Sequence, residues 1–196
     1  ADFKLKADEI LVAVSKDLTQ LPRSLDALTV SPRGLAPRGT PGSYDVLVDR
    51  LSALKPQLLS LKDHVASKDA MTSQEVSQMI GELQNLRNFK YGTWAQETKS
   101  SYPNRVNSFI DRVLPILGNY RDAIKLTNMN RALEHLQSIE PGARLTTNDI
   151  AKTFDLTASD IDQVIVSVNK AGAEFNFTNG AWQKTVPMLE LPSLGT

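Results

Sequence analysis

The chain has 196 residues, 41% hydrophobic and 22% charged, a balance typical of a globular protein with a sizeable core. Its formal net charge is zero, so no overall field favours nucleic acid or an anionic membrane, and no apolar run approaches the ~18 residues of a membrane span. The absence of cysteine excludes disulfides, zinc–thiolate sites, iron–sulfur ligands and a thiol nucleophile.

The charges are unevenly distributed along the chain. Residues 1–125 carry 17 lysines and arginines against 14 acidic residues, whereas residues 126–196 carry 5 against 8. The first part is therefore mildly basic and the second acidic. The sequence begins at Ala1, which leaves three explanations open: removal of an initiator methionine, a truncation, or cleavage of a targeting peptide.

Apolar residues that recur at alternating steps of three and four predict four amphipathic helices in residues 1–125. The first is expected from about Ala7 to Gln20, with a bent or separate continuation because Pro22 removes a helical hydrogen bond. The four predicted core stripes are Ala7, Leu11, Val14, Leu18, Leu21, Leu25 and Leu28; Leu47, Leu51, Leu54, Leu58, Leu61 and Val65; Val76, Met79, Ile80, Leu83, Leu86 and Phe89; and Val106, Phe109, Ile110, Val113, Ile116, Leu117, Tyr120 and Ile124.

Capping residues mark where the later helices begin. Ser43 is a candidate N-cap for the second helix, and Pro56 predicts a kink within that helix. The third helix opens with TSQE, a capping box from Thr72 to Glu75, and the fourth begins at Pro103, a residue suited to a first turn. Such helices bury their stripes by packing as an up-and-down four-helix bundle.

A proline- and glycine-rich segment, residues 31–43, links the first two helices and contains the near-repeat PRGLAPRG. One interpretation is a docking loop, in which Arg33 and Arg38 bind carboxylates or phosphates of a partner. The alternative is a solvated connector whose arginines only aid solubility. Two interpretations also apply to the aromatic group Tyr91, Trp94 and Tyr102. These rings form either a contact surface for a partner or the end of the bundle core.

The last third of the chain has a different pattern of elements. A helix is predicted from Arg131 to Glu140 after a turn-rich boundary at 125–130, followed by a short strand in RLTT. Two further helices start at the capping boxes Thr146–Asp149 and Thr157–Asp160. The core of the last helix is assigned to Ile161, Val164, Ile165 and Val168, and the dipeptide NG, Asn179–Gly180, predicts a β-hairpin.

This order of helices, short strand and hairpin, over residues 130–186, resembles the winged-helix family. In its DNA-binding members the third helix enters the major groove, supported by basic contacts to phosphates. Here that helix carries Asp160, Asp162 and Lys170 and no arginine, and the hairpin adds Glu174 and Lys184. The resemblance with this charge pattern favours a protein-contact module and makes nucleic acid an unfavourable partner.

No pattern for catalysis or cofactor binding is found in the sequence. There is no glycine-rich phosphate loop, and His64 and His135 have no ligand-spaced neighbours. Asp160 and Asp162 point in different directions on a helix, so they do not form a catalytic pair. The prediction is therefore a non-enzymatic protein with no catalytic residues, cofactor, metal or small-molecule substrate.

The N-terminal part, residues 1–125, resembles the Q-type extrinsic subunits of photosystem II in its helix bundle, its proline-rich loop and an N-terminal Ala1 of the kind that processing leaves. The resemblance implies a peripheral subunit in the thylakoid lumen that docks onto and stabilises a membrane-embedded complex. The alternative is a soluble winged-helix regulator or assembly factor, which would be cytoplasmic. The overall expectation is a mainly α protein: a four-helix bundle (1–125), a small winged-helix-like α+β domain (130–186) and a C-terminal tail (187–196).

Overall fold

The computed structural model describes residues 2–29, 44–67 and 69–186. The helices in this part of the chain are α1 (Phe3–Leu18), α2 (Leu21–Thr29), α3 (Tyr44–Ser67), α4 (Ser73–Arg87), α5 (Trp94–Glu97), α6 (Tyr102–Ser138), α7 (Thr147–Phe154) and α8 (Ala158–Lys170). The strands are β1 (Arg144–Leu145), β2 (Phe175–Thr178) and β3 (Ala181–Lys184). The protein is therefore mainly helical with a small antiparallel sheet near its C-terminal end, as predicted.

The chain divides into two compact units. The helical unit is Lys6–Ile124, and the C-terminal unit starts at Lys125 and includes the first residues of the chain up to Leu5. The expected turn-rich boundary at 125–130 is wrong, because α6 continues as one helix from Tyr102 to Ser138. No proline or glycine lies between Gly118 and Pro141, and the apolar stripe continues through Met129, Ala132 and Leu136, so packing outweighs the weak helix propensity of the local threonine and asparagines.

The core of the helical unit is built from the predicted stripes. The predicted stripe residues of α3, including Leu51, Leu54 and Leu61, are buried, as are most of those of α2, α4 and the first half of α6. Two ion pairs join neighbouring helices at the surface: Lys55 Nζ lies 2.8 Å from Asp26, and Arg87 Nε lies 2.7 Å from Asp111. Stripe periodicity therefore predicts which face of each helix is buried.

Prolines affect the helices differently from one position to another. Pro22 is the second residue of α2, so α1 ends at Leu18 and a separate helix follows. That position tolerates proline, because the first-turn N–H groups have no helical acceptor. Pro56 lies inside α3, which continues through it to Ser67, so the helix is not divided there. The proposed N-cap Ser43 lies outside the described residues.

The first helix begins earlier than predicted, at Phe3 rather than about Ala7. The Oδ1 atom of Asp2 accepts a 3.0 Å hydrogen bond from the N–H of Leu5, which satisfies one of the free donors of the first turn. Phe3 is 4% exposed and packs into the core of the C-terminal unit. The residues before Ala7 are therefore part of the folded structure.

The C-terminal unit combines the end of α6 with α7, α8 and the sheet. Its strands are antiparallel in the order β1–β3–β2. Trp182 of the central strand β3 is paired with Leu145 of β1 on one side and with Phe177 of β2 on the other. At the starts of α7 and α8, the hydroxyls of Thr146 and Thr157 accept hydrogen bonds from the N–H groups of Asp149 and Asp160, as predicted. The Asn179–Gly180 turn joins β2 to β3, and both turn residues have positive φ.

Candidate partner-binding surfaces

The predicted docking loop lies outside the part of the chain that the structure describes. Arg33 and Arg38 both fall between Thr29, the last residue of α2, and Tyr44, the first residue of α3. Their role in partner binding therefore stays a prediction from the sequence.

The aromatic group is largely inside the helical unit. Trp94 and Tyr102 are 6% and 2% exposed, and the Tyr102 hydroxyl donates a 2.8 Å hydrogen bond to the carbonyl of Leu28 at the end of α2. Trp94 stacks edge to face on Tyr91, whose ring packs in the same way on Phe89. This burial fits the structural alternative, in which the rings close one end of the core, and leaves Trp94 and Tyr102 little surface for a partner.

Tyr91 differs from the other two rings because it is only half-buried. Its hydroxyl oxygen is buried and has no hydrogen-bond partner among the described residues. Desolvation of the phenol raises the pKa of Tyr91 to about 12, so the side chain remains protonated at neutral pH. Tyr91 is therefore the one member of this group that combines a surface position with an unsatisfied polar atom in the described structure.

The outer face of α8 is where a winged helix would contact DNA. Asp162, Gln163, Val166 and Lys170 are exposed on it, and Val166 is 53% exposed. One acidic, one basic and one large apolar residue make this a nearly neutral face, with little charge to neutralise phosphates.

The N-terminal segment of the chain lies beside α8. Asp2 and Phe3 line a cavity of about 380 Å³ together with Ser167 and Lys170 of α8 and residues of α6. The N-terminal segment therefore borders the C-terminal end of α8, where Lys170 stays exposed.

The lysine of the hairpin is used inside the C-terminal unit. Lys184 Nζ donates hydrogen bonds to the carbonyls of Leu136, Gln137 and Ile139, at 3.2, 2.9 and 2.8 Å. These are carbonyl groups at the C-terminal end of α6 that lack helical donors, and a cation is favourable there. Lys184 therefore caps α6 and is not free to bind a phosphate.

The hairpin also exposes an aromatic ring. Phe177 is 56% exposed, although its ring lies 5.1 Å from that of Trp182 on the neighbouring strand. Trp182 itself is held in place by a 3.0 Å hydrogen bond from its indole N–H to the Thr147 hydroxyl. The hairpin thus presents an apolar side chain beside a tryptophan that is hydrogen-bonded to α7.

Asp160, a buried carboxylate, has a structural role at the start of α8. It accepts the N–H of Thr157 in a full capping box and forms a 2.8 Å ion pair with Lys125. Burial raises its pKa, but the hydrogen bonds from Lys125 and Thr157 outweigh this effect and hold the pKa of Asp160 below its ordinary value. Asp160 is therefore ionised, and its carboxylate oxygens are bound to Thr157 and Lys125. A carboxylate held in this way is not available for proton transfer.

The histidines are engaged separately. His64 Nδ1 lies 2.7 Å from the carbonyl oxygen of Asp69, and the His135 ring packs against Phe154. Across residues 2–29, 44–67 and 69–186 no group of three histidine, cysteine or acidic side chains is placed to hold a metal ion. Over the same residues, no helix combines the length and the apolar character needed to cross a membrane.

Sequence reasoning missed the roles of Phe3 and Lys184, although each had a signal. Asp2 stands three residues before Leu5, which is the spacing of an N-cap. Lys184 lies two residues after Trp182 in a strand, so both side chains point to the face of the sheet that is packed. What the sequence could not show is which helix end the ammonium would reach.

Comparison with known proteins gives no assignment. No family model, curated protein or solved structure matches this chain.

Proposed function

We propose that this protein is a non-enzymatic peripheral subunit that docks onto a larger protein complex and stabilises it. The observation that carries the proposal is the character of the exposed surface in the C-terminal unit. Helix α8 and the hairpin present Val166 and Phe177, which are 53% and 56% exposed, while the hairpin's lysine is bound internally. Apolar and aromatic side chains are common in the cores of protein–protein interfaces.

The proposal includes a finer description of the two units. The helical unit would be an up-and-down four-helix bundle, with α1 and α2 together forming the first arm and α3, α4 and α6 the others. The C-terminal unit would be a winged helix. Its element order, from the end of α6 through β1, α7, α8, β2 and β3, and its sheet order, β1–β3–β2, support this assignment.

In this proposal α8 contacts protein rather than DNA. Residues 126–196 carry a balance of −3, and α8 has no arginine. Specific DNA binders depend on several basic contacts to phosphates, for which this unit has few cations. Lys184 caps α6, and Lys125 is paired with Asp160.

The resemblance of residues 1–125 to the Q-type extrinsic subunits makes photosystem II the specific candidate for the larger complex. The second candidate, a winged-helix regulator or assembly factor, is favoured by the element order of the C-terminal unit. The two differ in the partner that is bound, so a binding experiment distinguishes them.

The test is rebinding to photosystem II membranes stripped of their extrinsic subunits. We expect the wild-type chain to sediment with them saturably, and the double variant Val166→Ser, Phe177→Ser to bind about tenfold more weakly. Val12→Ser is the matched control, because Val12 is 72% exposed on α1 in the helical unit. If the wild-type chain does not rebind, photosystem II is not the partner. Equal affinities of the wild type and the double variant would exclude the surface proposed here.

The arginines of the loop are tested in the same assay. If Arg33 and Arg38 anchor the chain to an acidic surface, the variant Arg33→Ala, Arg38→Ala is retained less well, and the difference shrinks as salt rises. Unchanged retention at every salt concentration would mean that the loop is only a connector.

Duplex DNA provides the opposing test. We expect no appreciable binding of random duplex at about 50 mM salt, where electrostatic binding is strongest. A dissociation constant below about 1 μM with a steep salt dependence would instead support a nucleic-acid-binding regulator.

A further inference from the structure

A second feature of the helical unit points to a small-molecule site independent of the proposed docking function. A cavity of about 410 Å³ opens between α2 and the first turns of α6. Its lining includes Arg105 and Arg112 of α6 and the hydroxyl groups of Ser24, Ser101 and Ser108. No acidic side chain from the described part of the chain lines it. The cavity therefore gathers hydrogen-bond donors and positive charge with no built-in counterion.

Among the described residues neither arginine forms an ion pair, and the acids adjacent in sequence to cavity residues pair with other cations. Asp26, next to the cavity residue Ala27, pairs with Lys55, and Asp111, next to Arg112, pairs with Arg87. The only hydrogen bond from Arg105 among the described residues is a long one, 3.4 Å, to the carbonyl of Ala27. Both guanidinium groups thus keep most of their donors for a ligand.

The spacing of the arginines suits one anion between them. Seven residues apart on a helix, their Cα atoms are about 10.5 Å apart on the same face, and both side chains are long enough to converge on a group at the midpoint. Ser108 lies between them in the chain, and its hydroxyl can donate a further hydrogen bond. Two guanidinium forks match the charge and the several acceptor oxygens of a phosphate better than the two oxygens of a single carboxylate.

Hydrogen bonds reduce the opposition of the neighbouring main chain to an anion. The cavity meets the last turn of α2, whose carbonyls would repel negative charge, but those of Ala27 and Leu28 accept hydrogen bonds from Arg105 and Tyr102. Phe109 supplies an apolar wall. We propose that this cavity binds a phosphate monoester of a small molecule, with the phosphate between Arg105 and Arg112 and the organic group against Phe109.

The experiment is calorimetric titration of the full chain with phenyl phosphate, inorganic phosphate and benzoate at constant ionic strength. We expect saturable 1:1 binding of phenyl phosphate, tighter than that of inorganic phosphate or benzoate. The double variant Arg105→Gln, Arg112→Gln should bind phenyl phosphate at least about tenfold more weakly. Both side chains are exposed, so its melting temperature should match that of the wild type.

Arg131→Gln is the control, because Arg131 is an exposed arginine of the same helix outside the cavity. It should leave the affinity unchanged. An equal loss in the control would mean non-specific attraction and would overturn the site, as would the absence of saturable binding at millimolar phenyl phosphate. Benzoate binding as tight as phenyl phosphate would overturn the assignment of phosphate, and equally tight inorganic phosphate would overturn that of an ester.

Discussion

Replacing Asp160 by asparagine tests how much its buried carboxylate stabilises the C-terminal unit. The side chain is 5% exposed, accepts a 3.0 Å hydrogen bond from the N–H of Thr157 and pairs with Lys125 at 2.8 Å. Asparagine has the same size and one acceptor oxygen, but it carries no charge. We expect the free energy of unfolding at pH 7 to fall by about 1.5–3 kcal/mol, the range for a hydrogen bond to a charged group. The hydrogen bond from Lys125 is the largest of the interactions that lower the pKa of Asp160, although solvent screens this pair because the lysine side chain is 50% exposed.

The stability difference between the wild type and the Asp160→Asn variant should decrease as the pH is lowered. The folded-state pKa of Asp160 is lower than its ordinary value of 3.8, so the ionised form stabilises the fold. The full difference between wild type and variant is present above the unfolded-state pKa. It is lost as the pH falls below about 4 and through the lower folded-state pKa.

The assay is urea unfolding followed by tryptophan fluorescence at pH 7 and at acid pH. The two tryptophans lie in different units, so a Trp94→Phe background leaves Trp182 as the reporter of the C-terminal unit. Asp162→Asn is the matched control, because Asp162 is exposed on the same helix. The reasoning is refuted if the variants at 160 and 162 lose equal stability, or if the loss at position 160 persists unchanged at low pH.

Three further substitutions, one of them with a matched control, test packing within each of the two units. Lys184→Met should lower the stability of the C-terminal unit by about 1–3 kcal/mol in urea unfolding, because three carbonyls at and just beyond the end of α6 lose their donor. Phe3→Ala should destabilise the same unit by about 3–5 kcal/mol, and an unchanged midpoint would mean that the N-terminal segment does not pack there. Leu54→Ala should cost about 2–5 kcal/mol in thermal or urea melts, because the side chain is 2% exposed. Leu59→Ala on the same helix should change the stability by only about 0.5 kcal/mol, because Leu59 is 41% exposed.

Local features of the structure could be predicted because they depend on neighbouring residues. Thr72, Thr146 and Thr157 each accept the N–H three residues on, as their capping patterns indicate. The Asn179–Gly180 turn forms because both residues tolerate positive φ. The heptad-like stripes likewise predict the buried faces, since the period of a helix fixes which side chains lie together.

The candidate site was less predictable, because it depends on contacts between residues that are distant in the sequence. From the sequence, Trp94 and Tyr102 could belong to a contact surface or to the end of the core, because aromatic rings serve both. Burial of the rings, with the Tyr102 hydroxyl bonded to Leu28 across the fold, is a property of packing. The pairing of Asp26 and Asp111 with other cations, which leaves Arg105 and Arg112 available, also depends on contacts between helices.

The sequence by itself determined the helices' buried faces, their capping residues and the hairpin, because these arise from spacing and from bonds within a few residues. Only the tertiary structure decided that α6 continues without a break, that Phe3 joins the C-terminal core and that Lys184 caps a helix 45 or more residues away. These outcomes depend on which distant groups meet when apolar faces are buried. Local propensity is too weak to determine them. Burial of apolar side chains and hydrogen bonding of the free helix carbonyls are strong enough to do so.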